Sequence, residues 1–213
     1  MKEIEILANA SGFVAGALST SVNTITLVLW QLALRPEVQE NVINEINNVV
    51  GTDLDKKITY EDCAKFHYLE AVINESLRYC GTFARMFRKA TKDTVIPGTN
   101  IQIDKGTCIN VPLNILNFDP DTWEQPHKFM PERFLPENKA QMKSCGYMTF
   151  GAGPRMCLGM RFAFLNLKIT LVEFLRRYQV VKTKNTIEEL KHMPGALGTE
   201  PDGIRITLKK RQN

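Results

Sequence analysis

Metal-ligand spacing is missing from this chain of 213 residues. It has three histidines, His67, His127 and His192, none followed at i+4 by a metal-binding residue, and its five cysteines include no C-x-x-C pair. A zinc site of ordinary spacing is therefore excluded. An odd number of cysteines also argues against a disulfide framework and fits a reduced, cytosol-facing compartment. Excess charge is slight: 27 Lys and Arg against 23 Asp and Glu leave +4, which is too weak to argue for a nucleic-acid partner. Lys209, Lys210 and Arg211 read as a solvated tail. The start lacks a basic segment followed by a small-residue cleavage site, so no signal peptide is expected. There is no internal repeat, low-complexity tract or linker.

What remains is an ordinary globular composition, 44% hydrophobic and 23% charged, with enough length for one sizeable core. Residues 6–34 are largely apolar, but Asn9, Ser11, Ser19, Thr20, Ser21, Asn23, Thr24 and Thr26 interrupt them. Several of these would face lipid whichever way a helix turned, so a buried core helix over 3–34 is expected rather than a membrane span. Pro36 suits the first turn of a second helix, 36–50, closed by Gly51, with Val38, Val42, Ile46 and Val49 or Val50 at helical spacing. A polar connector over 52–60, a short helix over 60–67 and a stronger one over 68–79 follow. The last carries Leu69, Val72, Ile73, Ser76 and Leu77 inward. Residues 85–111 read as strands and turns, 112–118 as a helical turn, and 119–138 as a meandering loop. A helix over 159–177, with Phe162, Leu165, Ile169, Val172 and Leu175 as its apolar stripe, precedes a strand pair near 178–183 and 203–209. The fold class expected is mainly α with a small β-sheet.

The most informative stretch is Phe150-Gly151-Ala152-Gly153-Pro154-Arg155-Met156-Cys157-Leu158-Gly159. One thiol stands in a Gly/Pro loop, two residues after an arginine and directly before a helix pattern, a setting biased toward thiolate. Such a thiolate serves as nucleophile or metal ligand. The plain alternative is a structural cysteine in a turn. The spacing F-G-x-G-x-R-x-C-x-G resembles the haem-binding loop of cytochrome P450, in which the cysteine sulfur is the axial ligand of haem iron. The resemblance implies haem b with Cys157 as metal ligand and a P450-like fold. Phe150, Gly151, Arg155 and Gly159 would line the cofactor, the glycines taking positive φ and Arg155 pairing with a propionate.

Other motifs follow in the family's order. Glu75 and Arg78 stand at i, i+3, which alone reads as a surface pair. With Arg133 of Pro131-Glu132-Arg133-Phe134 they would, by resemblance, form a buried ion triad behind the loop. Arg88, preceding Lys89-Ala90-Thr91-Lys92-Asp93, matches the family's propionate-binding arginine, the alternative being an exposed basic turn. Ala15-Gly16-Ala17-Leu18-Ser19-Thr20 resembles the distal helix, where a small-residue kink leaves room for dioxygen and an acid and an alcohol deliver protons. Gly16, Ser19 and Thr20 are the expected catalytic positions. Leu18 departs from the pattern, for it occupies the acid's place and carries no proton.

The resemblance runs from about Glu3 to the C-terminus and looks like the microsomal drug- and steroid-oxidising branch. It implies that residues 1–213 are the C-terminal, haem-carrying part of a single domain, with a membrane anchor and most substrate-recognition loops expected upstream of Met1. A haem-thiolate monooxygenase would insert one atom of O2 into a small apolar substrate. Its electrons would come from NADPH-dependent cytochrome P450 reductase at the cytosolic face of the endoplasmic reticulum membrane. The alternatives are a haem binder without monooxygenase turnover, or a haem-thiolate isomerase or dehydratase that dispenses with the distal acid. A cofactor-free helical interaction module would require the loop to be coincidence.

Overall fold

Pro36 ends one helix and begins the next. The residue before a proline is driven out of helical geometry, and Arg35 accordingly has φ −130° and ψ 80°. In the computed structural model, which describes residues 2–190 and 203–211, α1 spans Glu3–Leu34 and α2 Pro36–Val50. Gly51 closes α2 in a left-handed conformation, φ 76°. Thr59 and Asp62 cap α3, Tyr60–Lys65, reciprocally: the Asp62 amide donates to Thr59 Oγ1 and the Thr59 amide to Asp62 Oδ2, both at 3.2 Å. The amide donors that open α4, His67–Tyr79, are met by another helix. Glu45 of α2 accepts from the Tyr68 amide at 2.6 Å and from the Leu69 amide at 2.9 Å.

Beyond α4 the chain turns to short strands. β1 (Met86–Lys89), β2 (Thr94–Val95), β3 (Gln102–Ile103) and β4 (Cys108–Val111) lead to one-turn α5 (Leu113–Leu116). The meander then contains a 3-10 turn at Pro131–Phe134 and a one-turn α6 (Pro136–Lys139). The long α7 (Met160–Arg177) runs directly into β5 (Tyr178–Lys182), which pairs with β6 (Ile206–Lys210). Among the described residues the strands form three two-stranded antiparallel sheets, β1–β4, β2–β3 and β5–β6. His192 lies outside the described residues.

The core gathers around α4, which is buried on nearly every side by α1, α2, α7 and the 3-10 turn. Leu69, Val72, Ile73 and Leu77 pack with Val42 and Ile46 of α2 and Leu167, Leu171, Val172 and Leu175 of α7. Each such side chain contributes about 2 kcal/mol of transfer free energy. Gln39 stitches β5 to this core: it donates to Val180 O at 2.9 Å and accepts from the Val180 amide at 3.0 Å. Burial all round α4 also draws its polar residues inside, and this sets the surroundings of Glu75 and Arg78.

Two expectations need correction. The first is that α1 is a buried core helix. Only its C-terminal part is, through Leu27, Val28, Trp30, Leu32 and Ala33, while Ile4, Leu7, Phe13, Val14 and Leu18 are exposed. α1 is long and apolar enough to cross a membrane by length and composition, a test that core helices also pass. The second is the α7 stripe. Val172 and Leu175 are buried as expected, but Phe162 is 65% exposed and Ile169 37%, and Leu167, Lys168, Leu171 and Arg176 complete the inward face. The charged members of that face are paired. Lys168 Nζ donates to Glu70 Oε2 at 2.7 Å and to Cys63 O at 2.9 Å, while Arg176 donates to the carbonyls of Lys56 and Asp53.

Candidate functional site

Of the five cysteines, two are disqualified by burial. It pushes the Cys63 thiol up and the Cys80 thiol up to about 12, so neither offers a thiolate near neutral pH. Cys108, Cys145 and Cys157 are free and exposed. Only Cys157 stands in a loop that fixes its backbone. The Cys157 amide donates to Phe150 O at 2.8 Å, the Gly151 amide to Met148 O at 2.7 Å and the Met156 amide to Gly153 O at 3.0 Å. These bonds fold residues 150–157 into a closed turn around the 3-10 segment Gly153–Arg155. Left-handed φ angles at Gly151 (76°) and Gly153 (70°) make the bends. Gly159 differs from expectation: its φ is −90°, because it serves as the N-cap of α7 rather than as a bend. Cys157 therefore stands three residues before the first helical residue, Met160, rather than in the first turn.

Phe150 anchors the loop. It is half-buried against the core and packs on Phe164 of α7 with ring centroids 5.3 Å apart. The chain neighbours of the thiol, Met156 and Leu158, are apolar and exposed, as is Phe162 in the first turn of α7. Arg155 is exposed on the same loop. Arg88, on β1, donates from Nη1 to Phe87 O at 2.8 Å and from Nη2 to Met86 Sδ at 3.4 Å. Among the described residues neither arginine is ion-paired, so both guanidinium groups are available to a carboxylate.

Glu75, Arg78 and Arg133 come together. Arg78 Nε donates to Glu75 Oε2 at 2.7 Å and Nη2 to Glu75 Oε1 at 2.9 Å, a bidentate pair with both side chains fully buried. Arg133 Nε lies 3.6 Å from Glu75 Oε1 without a hydrogen bond. Backbone groups supply further partners. The Met130 amide donates to Glu75 Oε1 at 2.7 Å, Arg78 Nη1 donates to Asn117 O at 2.5 Å, and Arg133 Nη2 donates to Gln125 O at 2.9 Å. Trp123, Phe118 and Tyr79 surround the Arg78 guanidinium at 5.2–5.8 Å from their centroids. The sequence offered no signal for these backbone partners, since carbonyls and amides have no residue identity.

The small-residue stretch Ala15–Thr20 lies within the continuous α-helix α1. Ser19 Oγ donates to Ala15 O at 3.1 Å and Thr20 Oγ1 to Gly16 O at 2.6 Å, so both hydroxyls are bonded within their own helix. A Cβ on Gly16 would meet nothing within 4 Å, and Leu18 is exposed.

The chain as a whole has counterparts among known proteins. The cytochrome P450 family model matches residues 1–208. Cytochrome P450 3A19 of Capra hircus aegagrus is 35% identical over 200 residues, covering 94% of this chain and 89% of that protein. Cytochrome P450 3A28 of Bos taurus is 35% identical over 202 residues. The probable cytochrome P450 6a14 of Drosophila melanogaster is 33% identical over 207 residues. The chain spans 39% of the cattle protein's length and 41% of the fly protein's. With a match extending from the first helix through the cysteine loop to β6, this chain belongs to the cytochrome P450 family.

Proposed function

We propose that this chain carries the thiolate side of a haem site and that the enzyme it serves is a monooxygenase. The reaction inserts one atom of O2 into a small apolar organic substrate. Electrons come from NADPH-dependent cytochrome P450 reductase at the cytosolic face of the endoplasmic reticulum membrane, and residues 1–213 form part of a single P450 domain. The observation that carries this reading is Cys157: a free, exposed thiol on a loop pinned by its own amide to Phe150 O. Its surroundings suit an iron porphyrin, with apolar side chains beside a soft sulfur ligand and two guanidinium groups that form no ion pair among the described residues and could meet the propionates.

When bound, haem supplies dioxygen activation, favoured by thiolate donation. The chain's own residues do the rest. Cys157 Sγ holds the iron, and Arg88 and Arg155 hold the propionate carboxylates. Phe150 fixes the loop against α7. Gly151 shapes the first bend, and Gly159 ends the loop at the N-cap of α7. The Glu75–Arg78–Arg133 network holds the meander against α4 behind the loop. On α1, Gly16 leaves open backbone, and Ser19 and Thr20 hold exchangeable protons that must leave the Ala15 and Gly16 carbonyls before they are passed on.

Leu18 favours a second reading, a haem-thiolate protein that needs no distal acid, such as an isomerase or dehydratase. One measurement tests the cofactor and a second the chemistry. The reduced carbon-monoxide difference spectrum of the haem-reconstituted chain is expected to show the red-shifted Soret band of thiolate ligation, lost in Cys157→Ala. Its absence would overturn the haem-thiolate reading. Substrate-dependent product formation with reductase and NADPH then separates monooxygenase from isomerase.

A further inference from the structure

The Met86 thioether bonds the candidate propionate arginine and stands over the open Cα face of Gly151 in the ligand loop. Met86 opens β1 opposite Val111 of β4. Side chains alternate along a strand, so Met86 and Arg88 share one face. Arg88 Nη2 donates to Met86 Sδ at 3.4 Å. The same sulfur faces the loop: a Cβ on Gly151 would lie 3.7 Å from it, beside Arg155 O and Met156 Cα at 3.6 Å. Gly151 directly follows Phe150, whose carbonyl accepts the Cys157 amide. One side chain thus bonds the guanidinium that would meet a carboxylate and lies beside the bend that fixes the thiol.

We propose that Met86 is a positioning residue that sets Arg88 relative to the Cys157 loop, so that carboxylate recognition and thiolate ligation are held in register. The inference rests on the haem reading above. Methionine suits the task because it is unbranched, polarizable and a weak acceptor. Its chain fills the irregular space over Gly151 while the sulfur takes an N–H from Arg88. Leucine there fills the space but accepts nothing, so Arg88 keeps only its bond to Phe87 O and its fork is free to swing. Alanine removes the packing as well. Partners that orient a metal site from outside its first layer of ligands change metal affinity by about 10–100-fold when mutated.

The test uses the full chain reconstituted with haem, as wild type, Met86→Leu, Met86→Ala, Arg88→Ala and the corresponding double variants. Haem loss to an excess of acceptor protein is expected to be about tenfold faster in Met86→Ala and to rise by a smaller factor in Met86→Leu. The thiolate-type fraction of the reduced carbon-monoxide spectrum should fall in both. With Arg88→Ala already present, Met86→Leu should add nothing, because the sulfur acts through that guanidinium. In the haem-free chain, hydrogen exchange at the Cys157 amide should quicken in Met86→Ala and stay near wild type in Met86→Leu. Wild-type haem retention and spectra in both variants would overturn the proposal. So would a Met86→Leu effect that persists undiminished in Arg88→Ala, or unchanged Cys157 exchange in Met86→Ala. A wild-type chain without a thiolate-type spectrum would overturn the haem reading and the proposal with it, an outcome distinct from a normal wild type with indifferent variants.

Discussion

Glu75 Oε2 lies 2.7 Å from Arg78 Nε, one helical turn apart, with neither side chain touching water. Two ions so buried are stable only with further support, here from the Met130 amide, Asn117 O and the face of Trp123. Removing either partner strands the other. Glu75→Ala or Arg78→Ala is expected to cost about 3–5 kcal/mol, read as a lower urea midpoint by tryptophan fluorescence. A loss under about 1 kcal/mol would mean that the pair behaves as a surface contact.

Acid sensitivity should arise at Glu70. Burial pushes its carboxyl up, but the Lys168 ammonium, helped by Lys139, outweighs this and the net shift is downward. A carboxyl depressed in the folded state adds stability above its unfolded value, about 4.3, and loses it as pH falls through the folded value. Stability measured by denaturant titration should therefore decline from about pH 5 downward. Lys168→Met, which removes the buried donor to Glu70 and Cys63 O, should flatten that decline and cost about 2 kcal/mol at neutral pH. An unchanged slope would place the acid sensitivity elsewhere.

How much of this was legible in the sequence depended on whether the signal was local. Val38, Val42, Ile46 and Val50 of α2 read correctly because apolar spacing, Pro36 and Gly51 all agree. The stripe of α7 was misplaced because two of its inward residues, Lys168 and Arg176, are charged. Their partners, Glu70, Cys63, Lys56 and Asp53, lie about a hundred or more positions away in sequence, and periodicity has no access to such pairing. α1 misled for the opposite reason: an apolar pattern measures hydropathy, and Ile4, Leu7 and Val14 are exposed all the same. The cysteine loop was legible by motif, whereas the placement of Met86 beside Gly151 joins two segments that no spacing relates.

Glycines of the loop should not be equivalent. Gly151 and Gly153 have φ near 70–76° and Gly159 has −90°. An added Cβ meets only ordinary contacts at Gly151 and none at Gly153, so backbone strain alone sets the cost. Gly151→Ala and Gly153→Ala should each lose about 1–2 kcal/mol and quicken exchange of the Cys157 amide. Gly159→Ala, with open space and an unstrained φ, should cost no more than about 0.5 kcal/mol through weaker N-capping. Equal costs at all three, measured by thermal denaturation, would contradict this assignment of the bends.

Leu18 gives the sharpest test of the chemistry, because its position separates folding from function. Its side chain is 65% exposed on α1, so Leu18→Glu buries no charge and stability should stay within about 0.5 kcal/mol. Leucine itself donates no proton, and the neighbouring Ser19 and Thr20 hydroxyls are bonded to the Ala15 and Gly16 carbonyls. A carboxyl at this place adds the donor that the helix lacks. A positioned general acid contributes typically 10²–10⁴-fold, so haem-loaded enzyme with reductase should form oxygenated product at least about tenfold faster in Leu18→Glu. Ser19→Ala should slow the wild type while leaving haem content unchanged. If Leu18→Glu folds and binds haem normally yet makes product no faster, proton delivery does not limit this enzyme.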